Sequence, residues 1–299
     1  MSQVELLGVP TDYGANRRGV DMGPSAIRYA GIKKTLEEAG IACSDDGDLG
    51  MSHPHPSSDQ PPVDDKLKFF DQIRDVNIAL ADRVATIKEN GNRPIALGGD
   101  HSLAIGSLAG TTRNDTLGVL WIDAHGDFNT PETTPSGNVH GMALAAALDK
   151  GMFADIPWTT AQHLHPENIA LVGTRSLDQG ERELLNESPV SVFTISEIDK
   201  RGIHAVMEDA IDIVTEGTEG IHLSLDLDVL DPNIAPGVGT PERGGLSYRE
   251  AHVAMEIIAD NQLPQSMDIV EVNPILDQKN ATAELACELT ASVFDKSIL

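Results

Sequence analysis

Short apolar runs and longer helical patterns alternate along most of the chain. Helical patterns cover Pro24–Ala39, His101–Leu108 and Gly141–Leu148, each after an apolar run. The runs are almost continuously apolar, which is typical of parallel strands covered by helices on both faces of a sheet. The pattern therefore predicts an α/β fold with a mostly parallel sheet. The predicted strands are Val4–Val9, Arg93–Leu97, Leu117–Ile122, Ile169–Val172, Val190–Thr194, Ile221–Leu227 and Ser266–Val272.

The length of the chain and its cysteine content narrow the class of protein. A globular chain of 299 residues can bury about three quarters of its unfolded surface. No long linker divides it, so we expect one domain over residues 1–299. Cys43 and Cys287 are too few for a disulfide framework or a cysteine metal cage, as expected in a reducing cytosol. A bound metal would therefore need oxygen and imidazole ligands.

The composition is strongly acidic. The 47 Asp and Glu residues against 21 Lys and Arg residues give a formal net charge of -26. Such a field repels phosphate backbones and anionic membranes, so neither nucleic acid nor a membrane is expected as a partner. Without a basic leader or a run of about 18 apolar residues, the chain is predicted to be cytoplasmic. The acidity favours a halophilic origin, and an ordinary acidic bacterial enzyme is the alternative.

A first group of ionisable residues follows the predicted strand Leu117–Ile122. The apolar run ends in Asp123, His125 and Asp127. Residues two apart on a strand point to the same face, about 6 to 7 Å from one another. The three side chains are therefore predicted to share one face at the end of this strand. An EF-hand calcium loop is excluded, because the glycine and the final glutamate of that loop are missing.

Three other predicted strands also end in polar residues. Leucines alternate with polar residues up to Asp226 and Asp228, which puts this pair on one face. A glycine turn after another strand presents Asp100 and His101 at the start of a helix, and Glu271 lies in a fourth apolar run. Ligand sites of open α/β sheets lie outside the carboxyl ends of the strands. These residues are therefore candidates for one site.

A purely structural role is a weaker explanation for the four aspartates together than it is for any single residue. Asp100 and Asp231 are each compatible with capping a turn or a helix. His222 is compatible with a buried histidine that packs and forms a hydrogen bond. Several carboxylates at one sheet edge are costly unless cations neutralise them. One divalent ion would leave four aspartates at a charge of about -2, so we infer two ions. Imidazole and carboxylate ligands favour Mn²⁺, with Co²⁺, Zn²⁺ and Fe²⁺ also compatible.

These segments, in this order, resemble the ureohydrolases, and within them the bacterial arginases. The resemblance spans nearly the whole chain and implies a three-layer α/β/α sandwich around a largely parallel eight-stranded sheet. It also implies a homo-oligomer, either a trimer or a hexamer built from trimers. The motifs that carry it are Gly8–Arg28, Gly98–Ser102, Asp123–Gly141, Ser224–Gly245 and Glu271–Pro274.

The resemblance implies two Mn²⁺ ions per subunit and a ligand set for each. Asp123 and Asp226 would bridge the two ions. The implied ligands of one ion are His101, Asp123, Asp127 and Asp226, and those of the other are Asp123, His125, Asp226 and Asp228.

The implied reaction is the hydrolysis of the guanidinium group of L-arginine to L-ornithine and urea by a metal-bridging hydroxide. Asp127 would pass a proton to the departing amine, and His140 would relay protons to and from solvent. Glu271 is expected to receive the substrate guanidinium, and Thr240 to supply a hydroxyl to the pocket.

The segment from Phe128 to Asn138 is expected to choose the substrate. Its neutral polar side chains match the arginase loop that receives the α-carboxylate of arginine, which agmatine lacks. Asp178 matches the contact to the α-ammonium, and Glu181 lies near it. The loop residues concerned are Asn129, Thr134, Ser136 and Asn138.

Several alternatives stay open at this point. The first is an agmatinase or another hydrolase of guanidino substrates, and the second is a single-zinc deacetylase of the same fold. The third is a non-catalytic cation-binding protein. Arg17 and Arg18, near the predicted pocket mouth, are compatible with assembly, with substrate steering or with solvated charges.

Overall fold

The computed structural model describes residues 3–50, 67–261 and 264–294. All seven predicted strands are present, and the sheet has an eighth. The strands are β1 (Val4–Val9), β2 (Cys43–Asp48), β3 (Arg93–Gly98), β4 (Leu117–Ile122), β5 (Ile169–Thr174), β6 (Ser191–Thr194), β7 (Gly220–Asp226) and β8 (Ser266–Val270). They form one sheet in the order β2-β1-β3-β8-β7-β4-β5-β6, and each neighbouring pair is parallel.

Helices cover both faces of this sheet. They are α1 (Gly23–Ala30), α2 (Ile32–Glu38), α3 (Phe70–Glu89), α4 (Ala104–Thr111), α5 (Ala143–Ala147), α6 (Gln179–Asn186), α7 (Ile195–Arg201), α8 (Ile203–Thr215), α9 (Tyr248–Asn261) and α10 (Ala281–Val293). Successive strand residues point to opposite faces. Leu6 accordingly belongs to the core with α1, α2 and α7 to α10, whereas Leu7 packs with α3 to α5. The predicted three-layer α/β/α sandwich is confirmed.

The strand that the apolar pattern missed is β2, at one edge of the sheet. Its residues Cys43–Asp48 are mostly exposed and acidic, and β1 is its only partner among the described strands. Arg28 of α1 neutralises part of this charge by pairing with Asp45 at 2.8 Å. Because the edge strand buries little side-chain surface, it carries no apolar signature.

The single helix predicted over Pro24–Ala39 is wrong. The segment forms two helices, α1 and α2, which meet at Gly31 with φ 95°. Gly31 is the C-cap of α1, and its backbone N–H donates to Arg28 O at 3.0 Å. A positive φ costs glycine little and breaks the helical hydrogen-bond ladder, although the apolar period continues across the break.

The sheet order places the four strands that lead into the candidate residues side by side. These strands are β3, β8, β7 and β4. In a parallel sheet the carboxyl ends of neighbouring strands lie side by side, so the polar residues that follow these four strands converge. Within the described ranges, no helix is long and apolar enough to cross a bilayer.

Candidate metal centre

One cluster of ligand atoms forms around His101, directly after β3. Its Nδ1 atom lies 3.1 Å from Asp123 Oδ2, 2.9 Å from Asp127 Oδ2 and 3.2 Å from Asp226 Oδ2. This buried nitrogen forms no hydrogen bond with any described residue. One ring nitrogen carries at most one proton, so it cannot satisfy three carboxylates. A cation among these four atoms would satisfy all of them.

A second cluster forms around His125 and shares Asp123 with the first. His125 Nδ1 lies 3.0 Å from Asp228 Oδ2 and 3.5 Å from Asp123 Oδ1. The ligand atoms of His101, Asp123 and Asp226 lie within 4.8 Å of one another, and so do those of Asp123, His125 and Asp228. The two oxygens of Asp123 face different histidines, as expected of a carboxylate between two cations. The residues therefore fit metal ions at two adjacent positions.

The explanation offered from the sequence for this convergence is wrong in one respect. β4 ends at Ile122, so Asp123, His125 and Asp127 lie in the turn after the strand rather than on one strand face. The turn is shaped by the His125 N–H, which donates to Asp123 Oδ1 at 2.7 Å. It also places Asp127 at φ 48°.

Glu271 likewise does not lie within a strand. β8 ends at Val270, and Glu271 follows it with φ 64°. Both Asp127 and Glu271 therefore occupy the left-handed region, which is unfavourable for residues other than glycine and persists mainly where the surrounding structure enforces it. Two such residues at one sheet edge are typical of a functional site.

Two residues that support the ligands were not identified from the sequence. Ser224 Oγ lies 2.7 Å from His101 Nε2, so it fixes the ring nitrogen opposite the cluster. Trp121 stacks on the His101 ring at 4.2 Å and donates from Nε1 to Asp123 Oδ2 at 3.0 Å. Such partners orient the ligands of metal sites. A signal existed, because Ser224 and Trp121 each precede a ligand by two positions.

The electrostatics of the cluster also favour cations. Burial, together with the nearby Asp228 and Asp123, raises the pKa of Asp226 well above its usual value. Burial by itself would lower the pKa of His101, but the surrounding carboxylates outweigh it and raise that pKa. The protein alone thus binds protons tightly at this position. Divalent cations would replace those protons and relieve the repulsion between carboxylates.

His140 and Glu271 form a buried pair beside the cluster. His140 Nδ1 donates to Glu271 Oε1 at 3.0 Å, and the backbone N–H of His101 donates to the same oxygen at 3.0 Å. Burial opposes protonation of His140, but Glu271, Asp127 and Asp100 outweigh it and raise its pKa to about 9. The other oxygen, Glu271 Oε2, has no partner among the described residues, so an acceptor remains for a guanidinium.

The structural alternatives for Asp100 and His222 are borne out. Asp100 caps the turn that begins at His101, accepting the Ser102 N–H at 3.0 Å, and it also accepts the Gly14 N–H at 3.0 Å. His222 is fully buried in β7, with its Nδ1 atom 2.8 Å from Ser266 Oγ. Neither residue belongs to the ligand clusters.

A cavity of about 220 Å³ opens onto the clusters. An adjoining cavity of about 320 Å³ shares its wall at His140 and Thr240, and Glu271 and Arg17 line that second cavity. Among the predicted site residues, Asp123, Asp228 and Glu271 lie outside the lining of the first cavity, and the others line it. These are His101, His125, Asp127, Asn129, Thr134, Ser136, Asn138, His140, Asp178, Glu181, Asp226 and Thr240.

The predicted loop and its neighbours are held together by hydrogen bonds. Asn129 Nδ2 donates to Asp178 Oδ2 at 3.0 Å. Glu181 accepts the backbone N–H of Phe128 at 2.9 Å and that of Asp178 at 3.2 Å, which makes it the capping partner of α6. Burial raises the pKa of Glu181 to about 7. At Asp228, Oδ2 accepts the Thr240 hydroxyl at 2.9 Å.

Arg17 and Arg18 have different surroundings. Arg18 Nη1 pairs with the buried Asp12 Oδ1 at 2.7 Å, although the arginine side chain is 69% exposed. Arg18 therefore ties its own segment to Asp12, whereas Arg17 lines the cavity beside His140.

Comparison with known proteins agrees with this geometry. Residues 2–295 match the sequence pattern of the arginase family. The chain belongs to the arginase family. It is 49% identical to the arginase of Brevibacillus brevis over 99% of each chain, and 47% identical to that of Bacillus subtilis over 99% of each chain. The native structure of Bacillus caldovelox arginase superposes with a TM-score of 0.94 at 46% identity, covering 100% of both chains.

Membership of the arginase family confirms several predictions. The chain is a hydrolase of guanidino groups, and an arginase is supported over the alternative of an agmatinase. The family depends on metal, and the His and Asp clusters after β3, β4 and β7 are where the described residues could hold it. Its substrate is a small molecule.

Proposed function

We propose that this single-domain protein hydrolyses L-arginine to L-ornithine and urea with two Mn²⁺ ions per subunit. The observation that carries the proposal is the pair of His and Asp clusters sharing Asp123 beside the cavity. His101, Asp123, Asp127 and Asp226 would hold one ion, and Asp123, His125, Asp226 and Asp228 the other. When bound, the ions supply a water of lowered pKa as the nucleophile.

Residues around the clusters would bind the guanidinium and move protons. The guanidinium carbon is a poor electrophile, so its position relative to the nucleophile matters. Glu271 Oε2 and the Thr240 hydroxyl would contact the guanidinium where the two cavities meet. Asp127, which lines the cavity beside the clusters, would pass a proton to the departing amine.

His140 would connect this chemistry with solvent. Glu271 orients its Nδ1 atom by accepting a hydrogen bond, and its negative charge favours the protonated imidazole. Because His140 lines both cavities, it can donate this proton to the reacting groups and recover it from solvent. This is the expected behaviour of a proton relay.

The far end of the cavity would recognise the amino-acid part of the substrate. Asp178 would supply negative charge for the α-ammonium, with Glu181 beside it. Neutral hydrogen-bonding groups for the α-carboxylate would come from Asn129, Thr134, Ser136 and Asn138. Both sets line the same cavity as the ligands. Agmatine would leave the buried Asn129 and Asn138 without their carboxylate partner, which is costly for buried polar atoms.

We expect urea release from L-arginine to exceed release from agmatine by at least about 100-fold in kcat/KM, because the lost carboxylate contacts are charge-assisted hydrogen bonds. The measurement is urea production from each substrate after removal of metal and reloading with Mn²⁺, Co²⁺, Zn²⁺ or Fe²⁺. Mn²⁺ is expected to restore the highest activity, with two ions per chain. Faster turnover of agmatine, or full activity with one ion, would contradict the proposal.

We also propose a cytoplasmic homo-oligomer, a trimer or hexamer, adapted to high salt. The formal charge of -26 makes the folded chain repel itself, and salt screens charges over about 3 Å at 1 M compared with about 10 Å at 0.1 M. The melting temperature should therefore rise on going from dilute buffer to molar KCl. Unchanged melting and full activity in dilute buffer would argue against salt adaptation.

A further inference from the structure

Lys68 hydrogen-bonds the segment expected to receive the substrate α-carboxylate. Its Nζ atom donates to Asn138 Oδ1 at 3.0 Å and to Asn16 Oδ1 at 3.2 Å. Its backbone N–H donates to Gly137 O at 3.1 Å. Lys68 itself is exposed and lies just before α3, so these bonds tie a separate part of the chain to the loop.

The contact with Lys68 determines which end of the Asn138 amide faces the cavity. A lysine ammonium only donates hydrogen bonds, so the amide atom next to it must be the carbonyl oxygen. Asn138 lines the cavity and is 4% exposed. With Oδ1 held by Lys68, and with no hydrogen bond from Nδ2 to any described residue, this donor at the other end of the amide can serve a ligand. A carboxylate, which only accepts hydrogen bonds, needs this donor.

Asn129 and Thr134, two other polar residues of the loop, are oriented without Lys68. The amide of Asn129 is fixed by its bond to Asp178 and by the Thr133 hydroxyl, which donates to Asn129 Oδ1 at 3.0 Å. Thr134 Oγ1 accepts the Gly137 N–H at 3.0 Å, which leaves its hydroxyl proton for another partner. The Oδ1 atom of Asn129 is thus held from within the loop, whereas the Oδ1 atom of Asn138 is held by Lys68, which lies outside it.

We propose that Lys68 is a positioning residue that presents the Asn138 amide as an anion-binding donor and thereby selects ligands that carry an α-carboxylate. The inference rests on the proposed hydrolysis of L-arginine. Lys68 also adds a positive charge beside a cavity whose ionisable lining residues are carboxylates and imidazoles. This charge favours an anion at that end of the cavity.

The test compares two inhibitors that differ only in the α-carboxylate, L-ornithine and putrescine. Lys68→Met should weaken inhibition by L-ornithine about 10- to 100-fold, the usual effect of losing a charged hydrogen bond, and raise KM for L-arginine similarly with a smaller change in kcat. Inhibition by putrescine should change less than about 2-fold. Lys68→Arg keeps a positively charged donor at this position, so this variant should retain most of the affinity for L-ornithine.

Two controls separate orientation of the amide from effects of charge or folding. Lys34→Met changes the net charge equally at a side chain that is 79% exposed on α2, and it should leave both inhibition constants unchanged. In an Asn138→Ala background, Lys68→Met should have little further effect, because the amide that it orients is gone. Each variant is also checked for melting temperature and for putrescine inhibition.

If Lys68→Met weakened inhibition by L-ornithine and by putrescine equally, or weakened neither, the inference would be overturned. An undiminished effect in the Asn138→Ala background would also overturn it. Failure of the proposed function has a different outcome, because the unsubstituted protein would then release no urea from L-arginine. Calorimetric binding of L-ornithine and putrescine to the metal-loaded protein would still measure the role of Lys68.

Discussion

Asp226→Ala is expected to lose bound metal and urea production together. Asp226 ends β7 and directs Oδ2 to within 3.2 Å of His101 Nδ1, inside a buried cluster of carboxylates. Without it, the cluster lacks the carboxylate expected to lie between the ions, and the remaining groups no longer balance their charge. We expect kcat to fall by at least about 1,000-fold, since metal activation of water supplies several kcal/mol.

Metal analysis of the purified variant and its urea production give the measurement. Asp260→Ala, at an exposed position of α9, serves as the matched control and should retain metal and activity. A variant with full metal content and an unchanged rate would contradict this assignment of Asp226.

His140→Asn is expected to keep its metal and lose most of its rate. His140 contacts Glu271 rather than the ligand clusters, so removing its imidazole should leave the metal ligands in place. Asparagine can still donate one hydrogen bond to Glu271, but it cannot carry a proton to solvent. A lost acid–base group costs about 100- to 10,000-fold in rate, and we expect a fall in kcat within this range with little change in KM.

The measurement is steady-state urea production across pH, together with metal content. His163→Asn is the matched control, because His163 is exposed and has φ 61°, a conformation that asparagine tolerates. It should leave both quantities unchanged. Loss of metal from His140→Asn would show that the division of roles between His140 and the clusters is wrong.

Apolar runs predicted most of the sheet because burial on both faces constrains nearly every strand position. Leu117–Ile122 illustrates this, since the predicted strand and β4 have the same bounds and every residue is buried. The edge strand Cys43–Asp48 was missed because its side chains are mostly exposed and therefore leave no apolar run. The break at Gly31 was missed because helical periodicity continues through a single residue with positive φ.

The candidate ligands could be identified from the sequence because they are polar residues placed directly after buried strands. Their convergence also depended on strand order, since β3, β8, β7 and β4 are far apart in sequence and adjacent only in the sheet. Resemblance to a known family implied in advance that these residues form one site. The apolar pattern alone would have left four separate strand ends.

The sequence by itself determined most of the elements, which faces are buried and which residue types stand at the carboxyl ends of the strands. These features repeat with the period of the backbone, so they are visible locally. Only the tertiary structure decided where the side chains point. Asp127 and Glu271 take left-handed conformations after their strands, and Lys68 reaches Asn138 across 70 positions. Such directions depend on contacts between distant segments, and no local pattern records those contacts.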